Sequence, residues 1–200
     1  IIKIKRQKIM KKILSKINER KIYFLISILI FIADIVSKYF IDKYLQPIYL
    51  KKIIGNFLIF AYTRNYGVAF GFLNNLPEVI KNIMPTLLKI IVSAAMILIF
   101  FIMLYINPKK QKFSMIGFTM VLGGAIGNLV DRVIRGYVTD FISMGFNETI
   151  RFPYHYNIAD ASITIGIVFI AIGVILFKED FESKTKPEET IENNEENKTL

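Results

Sequence analysis

The sequence predicts an all-α integral membrane protein with four transmembrane helices. Of its 200 residues, 54% are hydrophobic, and the mean hydropathy is +0.46. A soluble domain has roughly 45–50% apolar residues. The apolar residues here also cluster in runs of about twenty, which is the length that an α-helix needs to cross a bilayer. The four runs are Ile22–Phe40, Met84–Ile106, Phe113–Ile134 and Ile158–Phe177.

The first run is preceded by a strongly basic segment, residues 1–21, in which Glu19 is the only acid. A cleaved signal peptide begins in the same way. However, no small-residue cleavage site follows the run, and Asp34 and Lys38 lie inside it. We therefore expect an uncleaved first span. The basic connection 107–112 belongs on the same side as the N-terminus by the positive-inside rule, which places both termini in the cytoplasm.

Two segments then reach the outer side of the membrane. Residues 42–83 contain Ile53-Ile-Gly-Asn-Phe-Leu-Ile-Phe-Ala-Tyr-Thr, which is rich in β-branched and aromatic residues and predicts short strands. We expect an interfacial helix near Leu76–Asn82. The second outer segment is 135–157. From Lys178 the chain has eight acids, four lysines and almost no apolar residues, which predicts a solvated, disordered tail over 178–200.

Composition excludes several kinds of function. The net charge of +10 would suit a nucleic-acid-binding protein, but the basic residues flank apolar spans, so we expect no nucleic acid partner. The absence of cysteine excludes thiol catalysis, thiolate metal sites and disulfides. His155 is the only histidine, no His-Glu-x-x-His pair is present, and no Gly-x-Ser-x-Gly motif occurs. We expect neither a metal nor another cofactor.

Two carboxylates, Asp140 and Asp160, lie at the edges of apolar segments. Ionisable groups near hydrocarbon cost several kcal/mol and are usually functional there. Two acids brought close together cannot both ionise cheaply, so one becomes an acid and the other a base. A solvated loop acid is the plainer interpretation of Asp140. For Asn157 and Asp160 the plainer interpretation is a helix cap, although a cap does not need both residues.

The end of the third span carries a second polar group. Gly123 and Gly127 have the spacing that lets another helix approach closely. Asn128, Asp131 and Arg132 follow on adjacent faces of one helical turn. For Asp131 we favour an Asp–Arg ion pair over a direct catalytic role, with Arg132 then stabilising the site.

Two further places combine polar groups with apolar surroundings. In the first span, Asp34 and Lys38 are four residues apart, so a structural ion pair is favoured. Ser37 beside Lys38 would suggest a Ser/Lys hydrolase, but adjacent helical residues do not face each other. Asn65 either holds a peptide carbonyl, orients a carboxylate, or forms a turn beside Gly67.

Taken together, these motifs resemble the lipoprotein signal peptidases, also called type II signal peptidases. The resemblance covers roughly residues 22–177, with every motif in family order. It rests on Asp34-x-x-x-Lys38, Arg64-Asn-Tyr-Gly-Val-Ala-Phe, Gly123-Gly-Ala-Ile-Gly-Asn-Leu-Val-Asp-Arg, Val138-Thr-Asp-Phe and Tyr156-Asn-Ile-Ala-Asp. The chain has Val-Thr-Asp where the family has Val-Val-Asp, and Tyr-Asn where the family has Phe-Asn. Neither difference removes a reacting group.

The resemblance implies more than the residues alone do. It implies an extracytoplasmic β-cradle on four transmembrane helices in the bacterial cytoplasmic membrane. It also implies an aspartyl protease that cuts prolipoproteins just before a diacylglyceryl-modified cysteine, with membrane lipid as a further partner. By correspondence, the catalytic residues are Asp140 and Asp160, and Asp131 is the alternative first acid. The site-lining and supporting residues are Asn65, Asn128, Arg132, Asn157, Asp34 and Lys38. We expect the chain to act as a monomer.

Two other kinds of protein also fit part of the pattern. A small proton- or cation-coupled transporter or channel subunit would also carry intramembrane acids. Transport sites, however, lie near the midplane and between repeated halves, whereas the acids here cluster at one end and no repeat is visible. A non-catalytic membrane scaffold would leave Asn157 and Asp160 without a purpose.

Overall fold

A computed structural model describes residues 2–46, 48–66, 78–147 and 149–185. Within these ranges the chain forms five helices and three strands. In chain order, they are α1 (Ile2–Glu19), α2 (Lys21–Tyr44), β1 (Leu50–Ile54), β2 (Leu58–Asn65), α3 (Glu78–Tyr105), α4 (Lys112–Ile134), β3 (Val138–Met144) and α5 (Ile158–Thr185).

Four of these helices are long and apolar enough to cross a membrane. The spans are Lys21–Tyr44, Asn82–Tyr105, Lys112–Ile134 and Ile158–Phe177. Each overlaps one of the four predicted runs, so the prediction of a four-span membrane protein is confirmed. The three strands form one small sheet; β1 and β2 come from the connection between α2 and α3, and β3 comes from the connection between α4 and α5.

Helix α4 is the centre of the bundle and packs against α2, α3 and α5. Glycines make this close approach possible. A Cβ atom at Gly123 would lie 2.6 Å from the Ser27 carbonyl oxygen on α2, and one at Gly124 would lie 2.5 Å from the Ala159 carbonyl oxygen on α5. The predicted role of Gly123 in helix packing is therefore confirmed, and Gly124 has the same role on the opposite face.

This packing leads to a stability prediction. Gly124→Ala forces its new methyl group against α5 backbone and against Ile163, whose Cγ1 would lie 2.9 Å away. Overpacking of this kind costs about 1–3 kcal/mol. We expect the variant to unfold at a lower temperature than the parent when both are heated in the same detergent. An unchanged midpoint would show that the two helices separate freely at this point.

The sheet is antiparallel, with strand order β1-β2-β3. Its register places Thr63 opposite Asp140 and Asn65 opposite Val138. The segment that returns to the membrane after β3 pairs with it through a bridge between Ile142 and Tyr156. Because of this register, Asn65 lies diagonally across from Asp140 on the neighbouring strand.

A small apolar core fixes the sheet to the end of α2. It consists of Ile41, Leu45, Tyr62 and Phe141, all less than 10% exposed. The rings of Phe60 and Phe141 meet edge to face with centroids 5.4 Å apart. The sheet is thus held against the ends of the spans.

Three segments differ from the sequence predictions or extend them. The basic N-terminal segment is helical as α1. The interfacial helix was expected near Leu76–Asn82, but residues 78–82 form the beginning of α3. The helical pattern is interrupted only by Pro85, and α3 continues through it. Leu76 and Pro77 lie outside the described residues. Helix α5 continues to Thr185, past the predicted start of the tail at Lys178, since neither Gly nor Pro occurs between 174 and 186. Residues 186–200 lie outside the described part.

Candidate active site

The two carboxylates predicted to react, Asp140 and Asp160, are joined through asparagine side chains. Asp140 lies on β3 and is only 3% exposed. Its Oδ1 accepts a hydrogen bond from Asn157 Nδ2 at 2.7 Å, and its Oδ2 accepts one from Asn65 Nδ2 at 2.9 Å. Asp160 lies in the first turn of α5, and its Oδ1 accepts from Asn128 Nδ2 at 2.7 Å. Four chain segments therefore contribute to one polar site.

Asn157 is the residue that both carboxylates contact. Its backbone N–H donates to Asp160 Oδ2 at 3.3 Å, and the Asp160 N–H donates back to Asn157 Oδ1 at 2.9 Å. This reciprocal pair is a capping box at the start of α5. The expectation that a cap would need only one of the two residues was wrong. One oxygen of each side chain caps the helix, while Asn157 Nδ2 and Asp160 Oδ1 remain for the site.

A buried ammonium group lies behind this pair. Lys38 Nζ is 2.6 Å from Asp34 Oδ2 and 3.2 Å from Asp131 Oδ2, and all three side chains are 0–2% exposed. The ammonium also donates to Asn128 Oδ1 at 2.9 Å. Since the Asn128 oxygen is held by a cation, its amide nitrogen faces Asp160. Lys38 therefore orients a direct partner of one reacting carboxylate.

Asp34 connects this cluster to the backbone of α5. Its Oδ1 accepts from the Ala159 N–H at 2.9 Å, and its carboxylate occupies the space that a side chain at residue 127 would need. Gly127 thus leaves room for the ion pair. The predicted pairing of Asp34 with Lys38 is confirmed.

Asp131 has partners on three sides, and they differ from the predicted one. Besides Lys38, its carboxylate contacts Arg135 Nε at 3.5 Å and accepts from the Thr139 N–H at 3.1 Å. The predicted Asp–Arg pair is therefore made with Arg135, one turn along α4, rather than with Arg132. These contacts hold the beginning of β3 against α4, next to Asp140.

Arg132 lies within the electrostatic reach of all three aspartates. Its Nη1 donates to the Asn128 carbonyl oxygen at 3.3 Å, and its guanidinium is attracted by the charges of Asp160, Asp140 and Asp131. Its buried Nε finds no hydrogen-bond partner among the described residues. A donor of this kind is available to an acceptor brought in by a ligand.

Burial changes the acidity of the strand carboxyl. Removal from water and, to a smaller extent, the neighbouring Asp160 carboxylate raise the pKa of Asp140, while the amides of Asn65 and Asn157 and the charge of Lys38 oppose the shift. The net pKa is about 7. A carboxylic acid with this pKa exchanges its proton near neutral pH, which is what a general acid or base requires.

Sequence reasoning missed two residues of the site, Arg135 and Thr139. Arg135 contacts Asp42 at the end of α2 and donates to Thr139 Oγ1 at 3.1 Å, while Thr139 is fully buried beside Asp140. The i,i+4 spacing of Asp131 and Arg135 was a usable signal. No comparable signal marked Thr139. Among the described residues, no three potential metal ligands of the His, Cys, Asp or Glu type come together.

Comparison with known proteins agrees with this geometry. Residues 26–176, which include every site residue described above, match the family described as "Signal peptidase (SPase) II". The chain belongs to the signal peptidase II family. The resemblance identified from its motifs is thereby confirmed, and the chain is a multi-pass membrane peptidase.

The chain also aligns with individual lipoprotein signal peptidases over most of their length. The chain is 37% identical over 158 residues to a lipoprotein signal peptidase of Francisella tularensis subsp. novicida, covering 78% of this chain and 91% of the relative. It is 36% identical over 147 residues to that of Caldanaerobacter subterraneus subsp. tengcongensis, covering 72% and 89%. A solved structure, "Bacterial membrane enzyme structure by the in meso method at 1.9 A resolution", is 28% identical with a TM-score of 0.65, covering 78% and 93%.

Proposed function

We propose that the chain is an aspartyl endopeptidase that removes signal peptides from diacylglyceryl-modified prolipoproteins. It would cut just before the lipidated cysteine, at the outer face of the cytoplasmic membrane, with both of its termini in the cytoplasm. The observation that carries this proposal is the hydrogen-bonded network of Asp140, Asn157, Asn128 and Asp160. The network links two carboxyl groups in one site beside the ends of α2, α4 and α5.

The two aspartates are assigned different roles. Asp140 is the acid, because burial raises its pKa to about 7, so that about half of the Asp140 carboxyl groups carry a proton at neutral pH. Asp160 is the base, because it is less buried and lies at the positive end of α5, where a carboxylate is favoured. Two similar groups in different environments thus divide acid and base functions.

The reaction then proceeds through water. Asp160 takes a proton from a water molecule, whose oxygen attacks the scissile carbonyl carbon. Asp140 donates a hydrogen bond to the carbonyl oxygen as it becomes negative, and the Arg132 guanidinium stabilises the same charge. Collapse of the tetrahedral intermediate breaks the C–N bond, and Asp140 gives its proton to the amine of the new N-terminus as it leaves. Transfer of the proton held by Asp160 to Asp140 then restores the starting state. No covalent enzyme intermediate and no metal ion take part.

The membrane side of the bundle offers room for an apolar substrate. A groove of about 590 Å³ lies between α2, α3 and α4. Its α4 wall ends at Leu129, which directly follows Asn128 of the site. A signal helix or an acyl chain lying in this groove would reach the carboxylates from within the bilayer.

The direct test is cleavage of a defined substrate. Purified protein in detergent is mixed with a diacylglyceryl-modified prolipoprotein and with the same protein lacking the lipid. We expect mass spectrometry to detect a product beginning at the lipidated cysteine, and little product from the unmodified protein. If neither substrate is shortened, the peptidase proposal fails, and ion flux in proteoliposomes would then test a transporter.

The pKa of Asp140 predicts the pH dependence of cleavage. If Asp140 is the acid, kcat falls by about tenfold per pH unit as the pH rises above about 7. Asn65→Ala removes an amide that favours the charged form of Asp140, so its pKa rises and the alkaline limb of the profile moves to higher pH. An alkaline limb that moves to lower pH in this variant would contradict the assignment of Asp140.

A further inference from the structure

A second groove lies at the C-terminal end of α3 and adjoins the first groove at Phe101, which lines both. Its other lining residues belong neither to the first groove nor to the catalytic site. It has a volume of about 490 Å³ and runs between α1 and the last turn of α3. Its walls are almost entirely apolar, and two lysines, Lys12 and Lys16, stand at its edge. The apolar lining is formed by Ile9, Ile13, Phe101, Ile102, Leu104 and Tyr105.

The position of this groove is fixed by a buried arginine. Arg20 separates α1 from α2 and is 4% exposed. Its Nε donates to the Met103 carbonyl oxygen at 2.8 Å, and its Nη2 donates to that of Ile106 at 2.9 Å. One carbonyl lies in the last turn of α3 and the other directly follows the helix, where the membrane span terminates at Tyr105. The groove therefore lies at a boundary between hydrocarbon and water.

Tyr105 and Lys16 have the arrangement of a membrane interface. Tyr105 is 87% exposed, and the Lys16 ammonium lies 6.0 Å from the centre of its ring. Tyrosine is enriched at this depth, and a lysine there lays its stem on apolar surface while its charge stays at the headgroup level.

The charge around the groove is strongly positive. Helix α1 contains only one acid, Glu19, and that carboxylate is paired with Arg20 at 3.0 Å. Apolar side chains on α1 are nevertheless exposed: Ile9 by 52%, Met10 by 59% and Leu14 by 56%. The basic residues of α1 are Lys3, Lys5, Arg6, Lys8, Lys11, Lys12 and Lys16.

We propose that this groove binds one anionic phospholipid. An acyl chain lies along the apolar wall formed by Phe101 and Ile13, and the phosphate lies between the ammonium groups of Lys12 and Lys16. The charge of the rim and the apolarity of the walls together match this one amphipathic molecule. Binding of the lipid would anchor α1 to the membrane surface.

The test uses a unique fluorophore. The chain has no tryptophan, so Tyr105→Trp places a single one in the groove. The protein is reconstituted in nanodiscs of mixed phosphatidylcholine and phosphatidylglycerol, with bromine on the acyl chains of one lipid at a time. Bromine quenches tryptophan on contact, so the two samples report which lipid occupies the groove.

We expect brominated phosphatidylglycerol to quench well beyond its mole fraction. Lys12→Gln/Lys16→Gln should lower this preference by about tenfold, since each lysine near the surface contributes a several-fold preference for anionic lipid. The matched control, Lys8→Gln/Lys11→Gln, removes the same charge from exposed positions of α1 that do not line the groove.

Three results would overturn the proposal. If each brominated lipid quenches Tyr105→Trp only in proportion to its mole fraction, bulk lipid covers the groove without selection for phosphatidylglycerol. An equal loss in both double variants would assign the preference to the overall charge of α1. Absence of quenching by either lipid would mean that protein, such as a second copy of the chain, fills the groove. Each readout is independent of peptidase activity, so it stands apart from the test of the proposed function.

Discussion

Asp140→Asn and Asp160→Asn are each expected to lower the rate of prolipoprotein cleavage by at least about 10³-fold. Each substitution removes one member of the proposed acid–base pair while keeping the size of the side chain. General acid–base groups each contribute about 10²- to 10⁴-fold, and the two aspartates act on the same water and carbonyl. The measurement is single-turnover cleavage of a purified lipidated substrate by purified variants.

Asp42→Asn is the matched control for these variants. Asp42 is a carboxylate at the end of α2 that contacts Arg135 and has no contact with Asn157 or Asn128 among the described interactions. We expect its cleavage rate to stay within about tenfold of the parent rate, because a partly exposed ion pair contributes little free energy. Full processing by either Asp140→Asn or Asp160→Asn would remove the basis of the mechanism.

Thermal unfolding of Asp140→Asn shows whether a loss of cleavage comes from the missing acid or from a damaged fold. The pKa of Asp140 is higher in the folded protein, at about 7, than its unfolded value of about 4. The folded state therefore loses stability as the pH rises from about 4 to about 7 and the proton must leave. We expect the asparagine variant to unfold no earlier than the parent at neutral or higher pH.

Lys38→Met is expected to have the largest effect on stability. The lysine is fully buried, and its ammonium is the shared partner of Asp34, Asp131 and Asn128. Removing one member of a buried ion cluster costs about 3–5 kcal/mol, because the remaining carboxylates stay buried without compensation. The measurement is the midpoint of thermal unfolding in detergent, compared with the parent.

Two further variants make this prediction specific. Lys43→Met lies on the same helix but is exposed, and we expect a change within about 0.5 kcal/mol. Asp34→Asn/Lys38→Met removes one of the stranded charges and should recover part of the loss. If Lys38→Met were no more harmful than Lys43→Met, Lys38 would not be the electrostatic centre of the site.

The spans were predictable because their signal is local. A run of about twenty apolar residues specifies a membrane helix without reference to the rest of the chain. Strand β3 was not predicted, since Val138–Met144 lacks polar–apolar alternation. Its residues are buried on both faces, and that burial depends on α4, β2 and the segment before α5. Helix α1 was likewise missed, because charge dominates its composition.

The site was predictable as a set of residues but not as a network. The sequence motifs alone identify Asp34, Lys38, Asn128 and Asp160 as site residues. The connection from Lys38 through Asn128 to Asp160 joins residues from three helices, so no spacing in the sequence encodes it. The sequence also predicted the wrong arginine partner for Asp131, Arg132 in place of Arg135, because the choice depends on tertiary structure. Both arginines lie within about one turn of Asp131, so spacing alone does not choose between them, and Arg135 also donates to Thr139 on β3.

The most direct test of the proposed mechanism is a structure with a peptide analogue whose scissile carbonyl is replaced by a hydroxyl-bearing tetrahedral carbon. We predict that the hydroxyl lies within hydrogen-bond distance of both Asp140 and Asp160, with Arg132 nearby. A hydroxyl bound to Asp131, or one that contacts neither Asp140 nor Asp160, would contradict the assignment of these two aspartates as the catalytic pair.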